Sequence, residues 1–230
     1  MLTTEQIQYL YKFCEKKGVR YYDLQTELVD HLTEAIEAKK THDPQLSFDE
    51  ALMGVYKGFG ITGFSRVTAE REAALTKSYN RARWRYFKAF FTYPKVAVSL
   101  LLFFLLNAPV FLFKIPHLKS YHFVIVLLAV LFGLLLWIFA LRTFKRPEKK
   151  LMVLKSYGAG FGIFGAMLQI PNLYYLVLKG LDINVNNPRV HIVISLFAVL
   201  LILVSLAEYY AYASAYRDVK KRYPQAFAGD

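Results

Sequence analysis

Cysteine is nearly missing from this sequence. Cys14 is the only one in 230 residues, so no disulfide can staple the chain internally. That is compatible with a reducing compartment. Acidic residues are scarce after position 90, where Glu148, Asp182, Glu208, Asp218 and Asp230 stand alone. No phosphate-binding glycine loop of the Walker type is present. No serine, cysteine or histidine sits in a motif that would pair a nucleophile with its base. The first residues lack the apolar core of a secretory signal: Met1–Gly18 carries Glu5, Lys12, Glu15, Lys16 and Lys17. The first membrane span is then expected to act as the insertion signal. These absences argue against an enzyme and against a disulfide-stapled secreted domain.

What is abundant is apolar residues, at 56%, together with a formal net charge of +12. A basic chain suits nucleic acid or a membrane surface. Position separates the two, because most Lys and Arg beyond the N-terminal region flank apolar runs. Four such runs reach the roughly 20 residues that a spanning helix needs. They lie at about 93–113, 123–141, 157–178 and 190–210. Within 120 residues they leave too little polar surface for them to be core helices of a soluble protein. The third run is the most polar, with Gln169, Pro171 and Asn172.

Orientation follows from the basic residues of the short connections. Arg71, Lys77, Arg81, Arg83, Arg85, Lys88 and Lys95 precede the first span. Arg142, Lys145, Arg146, Lys149, Lys150 and Lys155 lie between the second and third. Arg217, Lys220, Lys221 and Arg222 follow the fourth. The opposite side has only Lys114, Lys119, Lys179 and Arg189. This asymmetry predicts that both termini are cytoplasmic. Residues 213–230 then form a basic cytoplasmic tail.

Between the N-terminal region and the first span, residues 79–92 read as an amphipathic juxtamembrane helix. Arg81, Arg85 and Lys88 share one face, with Arg83 beside them, and Trp84, Phe87 and Phe91 form the other. Arg81, Arg83, Trp84, Arg85 and Lys88 are therefore expected at a lipid interface with anionic headgroups. Adjacency to a span favours lipid over nucleic acid.

Residues 1–78 read as a soluble helical domain. A helix over 4–17, with Thr4 as its cap, is stopped by Gly18. A second runs from about Tyr22 to Ala38 with Leu24, Leu28, Leu32, Ala35 and Ile36 on its apolar stripe. Ser47 and Glu50 spell a capping box before a helix over Phe48–Lys57. A last helix is expected at about 62–78. The fold class is thus all-α: a soluble helical N-terminal domain followed by a four-helix transmembrane bundle.

The segments Tyr22-Asp23-Leu24, Glu27-Leu28, Asp30-His31-Leu32 and Glu34, followed by Ser47-Phe48-Asp49-Glu50-Ala51 and Phe59-Gly60, carry a resemblance over residues 5–75. They resemble the HAAS domain, a small helical cytoplasmic domain placed before membrane spans in many bacterial proteins. The chain is also similar to membrane proteins of the Bacteroidetes type with a like Asp-His-Leu segment. The resemblance implies a sensing or regulatory module of the bacterial inner membrane, in some cases linked to PadR-like transcription regulators. It implies no catalytic residues.

Several side chains can carry chemistry. Glu27, His31 and Glu34 lie at helical spacing and are candidate metal ligands, against the plainer reading of a solvated helix face. Gly158, Gly162 and Ala166 make a small-residue ridge for close helix packing, within this chain or in a homo-oligomer. Asn107, Gln169, Asn172 and Glu208 are polar groups inside spans, which must face protein or a cavity. Glu208 is expected to pair with Arg142 or Lys155. His117, His122 and His191 sit at the outer ends of spans, where they either bind a metal together or simply occupy the interface. No cofactor is implied. The expected function is that of a non-enzymatic regulatory or sensory membrane protein whose cytoplasmic domain docks a protein partner and no nucleic acid. The alternative is a small transporter or channel component using the polar residues of spans one and three.

Overall fold

The computed structural model describes residues 1–113, 115, 117–158, 176–177, 180, 184 and 187–227. Among these the chain is all-helical. The helices are α1 (Thr4–Lys16), α2 (Tyr22–His42), α3 (Phe48–Lys57), α4 (Phe64–Ala89), α5 (Val96–Phe113), α6 (Leu118–Thr143), α7 (Met152–Gly158) and α8 (Pro188–Arg222). A short 3-10 turn, Pro224–Ala226, follows α8.

Local chemistry explains the ends of the first helices. Thr3, one residue before the expected cap, accepts from the Gln6 backbone N–H, and the Gln6 side chain accepts from the Thr3 N–H. That satisfies free donors at both ends of the box. Gly18 follows α1 with φ near +90°, a backbone region in which a Cβ is strained. Ser47 and Glu50 close the same reciprocal box at the start of α3.

Two compact units arise. The first gathers residues 1–77, 146–156 and 217–230. Its core joins Leu10, Phe13 and Cys14 of α1, Leu24, Leu28, Val29, Leu32 and Ile36 of α2, Ala51 and Leu52 of α3, and Phe64 of α4. Met152 of α7 is fully buried in the same cluster. The N-terminal unit is therefore larger than residues 1–78: it includes the connection that follows α6 and the end of the chain. Burial of this kind is worth about 2 kcal/mol for a Met-sized side chain.

The second unit comprises 78–145 and 157–216. Ile125, Val126, Ala129 and Val130 of α6 pack against Ile194, Ala198 and Leu201 of α8. Phe90, Val199 and Leu203 form a second cluster. The outer surface is also apolar, with Leu101, Phe104, Leu105, Leu128, Leu135 and Leu196 exposed. A surface of this kind suits lipid rather than water. Three helices are long and apolar enough to cross a membrane: Val96–Phe113, Leu118–Thr143 and Arg189–Arg222, with mean hydropathy 2.5, 3.1 and 2.8. The expected third span at 157–178 lies outside the described residues except at 157–158 and 176–177.

One boundary differs from the sequence expectation. A helix ending near 78 and a separate juxtamembrane helix over 79–92 are a single helix, α4, of 26 residues. No proline or glycine interrupts Phe64–Ala89, so nothing in its backbone chemistry calls for a break.

Candidate functional site

Asp23 is the centre of the first unit's polar structure. It stands in the first turn of α2 and is 5% exposed. Its Oδ1 accepts from the Met152 N–H at 2.8 Å and its Oδ2 from the Val153 N–H at 3.0 Å. Oδ1 also accepts from the Leu24 N–H at 3.1 Å. The carboxylate thus takes up free amides at the start of α7 while standing in the first turn of α2, and both helix dipoles favour a negative charge there. The surroundings keep the connection in place. The Tyr22 N–H donates to the Lys150 carbonyl at 2.8 Å, and the Glu148 N–H to the Ala226 carbonyl at 2.9 Å. The Tyr22 hydroxyl donates to Gln225 Oε1 at 3.3 Å. Lys155 of α7 reaches Glu72 of α4 at 2.8 Å, and that bond raises the pKa of its ammonium. Chain segments more than a hundred residues apart are held as one piece.

In the second unit there are two polar pairs, one half-buried and one fully buried. Arg83 Nη1 donates to Glu208 Oε1 at 2.9 Å. Glu208 is 1% exposed and its Oε2 has no partner among the described residues. The expected partners, Arg142 and Lys155, do not take this role. Arg83, half-buried, is the counter-charge of Glu208. Arg81, Trp84, Arg85 and Lys88 are exposed. The Trp84 ring stacks on Phe87 with centroids 5.2 Å apart, and Lys88 Nζ lies 5.7 Å from its centre.

The second pair is His122 and His191, both fully buried. His122 Nε2 lies 2.9 Å from His191 Nδ1, and the rings are within 13° of parallel. One nitrogen donates and the other accepts. Their outward nitrogens, His122 Nδ1 and His191 Nε2, have no partner among the described residues. His117, expected with them, is the cap residue of α6 and is exposed. Asn107 of α5 is 5% exposed and donates to the Phe103 carbonyl at 2.7 Å, while its Oδ1 has no partner among the described residues.

The remaining candidates divide clearly. Glu27 is held by Arg71 at 3.2 Å. Among the described residues no three His, Cys, Asp or Glu side chains gather as metal ligands, so Glu27, His31 and Glu34 do not form a metal cluster. His31 and Glu34 are exposed, while Glu27 is half-buried against Arg71, so spacing along α2 supplies no enclosing ligands. Gly158 closes α7, while Gly162, Ala166, Gln169 and Asn172 lie outside the described residues. In the sequence Asp23 stands out only within the Tyr22-Asp23-Leu24 segment. No local signal shows that it caps a helix starting at Met152. The Arg83–Glu208 and His122–His191 pairs are equally long-range. The only available signal was the rarity of ionisable groups within apolar runs.

No family model matches the chain, and no significant match is found among curated proteins or solved structures.

Proposed function

We propose that this chain is a non-enzymatic regulatory or sensory protein of a bacterial inner membrane, with four spans and both termini in the cytoplasm. Its helical cytoplasmic unit docks a protein partner, and the spans set the state of that unit. The observation that carries this reading is the Asp23 junction. Through it and the neighbouring Glu148–Ala226 and Tyr22–Gln225 bonds, the segment leaving α6 and the segment ending α8 join the same compact unit as α1–α3. A displacement of either membrane helix then pulls on the partner-binding unit directly, through covalent chain and buried hydrogen bonds. Four spans agree with this construction. Residues 146–156 and 217–230 share a unit with residues 1–77, and one further crossing between α7 and α8 would put all three segments on one side. The run at 157–178 is long enough to provide it. The HAAS-like pattern of residues 5–75 supports a regulatory role as well.

The test uses the full-length protein in lipid nanodiscs of thin and thick bilayers, since thickness biases the tilt of spans. Hydrogen exchange in α1–α3 should change between the two, and the Asp23→Ala variant should abolish the change. Exchange that is indifferent to thickness in the wild type would remove the coupling. A photo-crosslinker at exposed Met53 should give a discrete adduct in native membranes.

A transporter is the second reading, favoured by the buried Glu208 carboxylate and the buried His122–His191 pair of the second unit. Ion flux through proteoliposomes that vanishes in Glu208→Gln or His191→Ala would establish it in place of the first.

A further inference from the structure

The first unit contains a cavity of about 530 Å³, within the size range of small-molecule sites. Its walls come from α1, the turn after it, the start of α2 and the connection that follows α6. Four cations line it, Lys12, Arg20, Lys149 and Lys150, against one carboxylate, Glu15. None of the four is in a salt bridge with a described residue. The chain brings these charges together from positions more than a hundred residues apart, although their mutual repulsion opposes it. The backbone fixes them there. The Tyr22 N–H holds the Lys150 carbonyl, and Lys149 Nζ rests 4.1 Å from the centre of the Tyr22 ring. Tyr22 in turn stacks with Tyr11, centroids 6.1 Å apart and planes within 17°. Tyr11 is anchored by Thr26 at 3.4 Å. The result is an aromatic floor with four exposed ammonium and guanidinium side chains around it and Glu15 as the single carboxylate in the lining.

We propose that this cavity binds a phosphate-bearing anion, with Arg20 and Lys12 on the helical side and Lys149 and Lys150 on the connection that leaves α6. A dianionic phosphate accepts several charge-assisted hydrogen bonds at once, and a guanidinium beside ammonium groups is a common way to meet it. Because two of the four cations belong to residues 146–156, the bound anion ties that segment to α1 and α2. This goes beyond the regulatory reading and does not depend on it. The anion is either a soluble phosphate compound or the headgroup of an anionic phospholipid.

The experiment uses the full-length protein in nanodiscs of neutral phosphatidylcholine and, separately, of phosphatidylcholine mixed with phosphatidylglycerol. Hydrogen exchange over 149–153 is followed with and without inorganic pyrophosphate. Protection that appears on adding pyrophosphate in neutral nanodiscs identifies a soluble ligand. Protection that appears with phosphatidylglycerol alone identifies the headgroup. In either arm the effect should weaken with added salt. Lys12→Gln and Lys149→Gln should each weaken the response about tenfold, the loss of one charge-assisted bond. Lys57→Gln, away from the cavity, should leave it unchanged. Circular dichroism establishes that each variant folds; should Lys149→Gln fail, Lys150→Gln serves in its place. No protection in either arm, or equal protection in the cavity variants and the wild type, overturns the proposal.

Discussion

The Asp23 carboxylate lies 2.8 Å from the backbone nitrogen of Met152, 129 residues further along the chain. Removing it leaves three N–H groups, those of Leu24, Met152 and Val153, without this acceptor. Each costs about 1–3 kcal/mol when orphaned, although water entering the site recovers part of that. Asp23→Ala should therefore destabilise the first unit by about 2 kcal/mol, and Asp23→Asn by less, since an amide oxygen still accepts one bond. Hydrogen exchange of the α7 amides in the full-length protein measures this. Unchanged exchange at 152 and 153 in Asp23→Ala would show that the cap contributes nothing.

Arg83 and Glu208 make the second prediction. Glu208 is buried, and its partner comes from α4. Arg83→Ala strands a carboxylate in an apolar surrounding, which costs about 3 kcal/mol or more. The double change Arg83→Met with Glu208→Met removes both charges and should recover most of the lost stability. Thermal unfolding in detergent distinguishes the two. A double variant as unstable as Arg83→Ala would mean that the pair is not a unit.

How much of this was visible beforehand depends on the range of each interaction. The Ser47–Glu50 box and the Gly18 stop follow from residues three apart or adjacent, and the α2 stripe from spacing, so all three were legible. α3 has the expected bounds, and α2 continues four residues past Ala38 to His42. The cap of α1 falls on Thr3 rather than Thr4, because adjacent threonines offer the same oxygen one residue apart. Three apolar helices were legible from length alone. The long-range pairs were not. Nothing around Arg83 in sequence distinguishes it from Arg81 or Arg85, which are exposed; only the rotation of α4 turns it toward Glu208. Likewise, position in the sequence puts His122 and His191 at span ends, but their 2.9 Å contact depends on how α6 and α8 pack.

Cys14 gives a pH prediction. Its thiol is fully buried, and burial pushes its pKa from 9.0 to about 12. The unfolded chain releases this proton at its ordinary pKa while the folded chain retains it. The unfolded state then binds fewer protons, so stability falls as pH rises from 9 toward 12. Below that window the thiol contributes no pH dependence. Cys14→Ala should show a flatter alkaline slope in thermal unfolding. In the folded protein the wild-type thiol should also resist maleimide at neutral pH, since attack requires exposed thiolate. Rapid labelling without denaturant would place Cys14 outside the core.

The last prediction concerns sidedness. Residues 1–77, 146–156 and 217–230 form one compact unit, so they must share one side of the membrane, and the basic residues concentrated in and beside those segments favour the cytoplasm. In a Cys14→Ala background, single cysteines are placed at exposed Glu148, Asp218 and Lys119. A membrane-impermeant maleimide added to intact cells should label the cysteine at 119, which lies at the start of α6. It should not reach those at 148 and 218 until the membrane is opened. The comparison of 148 with 218 is the informative one. Opposite labelling at those two sites would mean that the chain between α7 and α8 does not cross the bilayer, and the unit as described could not assemble. Labelling of both from outside would leave the unit intact and invert its orientation. Protection of all three would mean that α6 does not emerge at its N-terminal end.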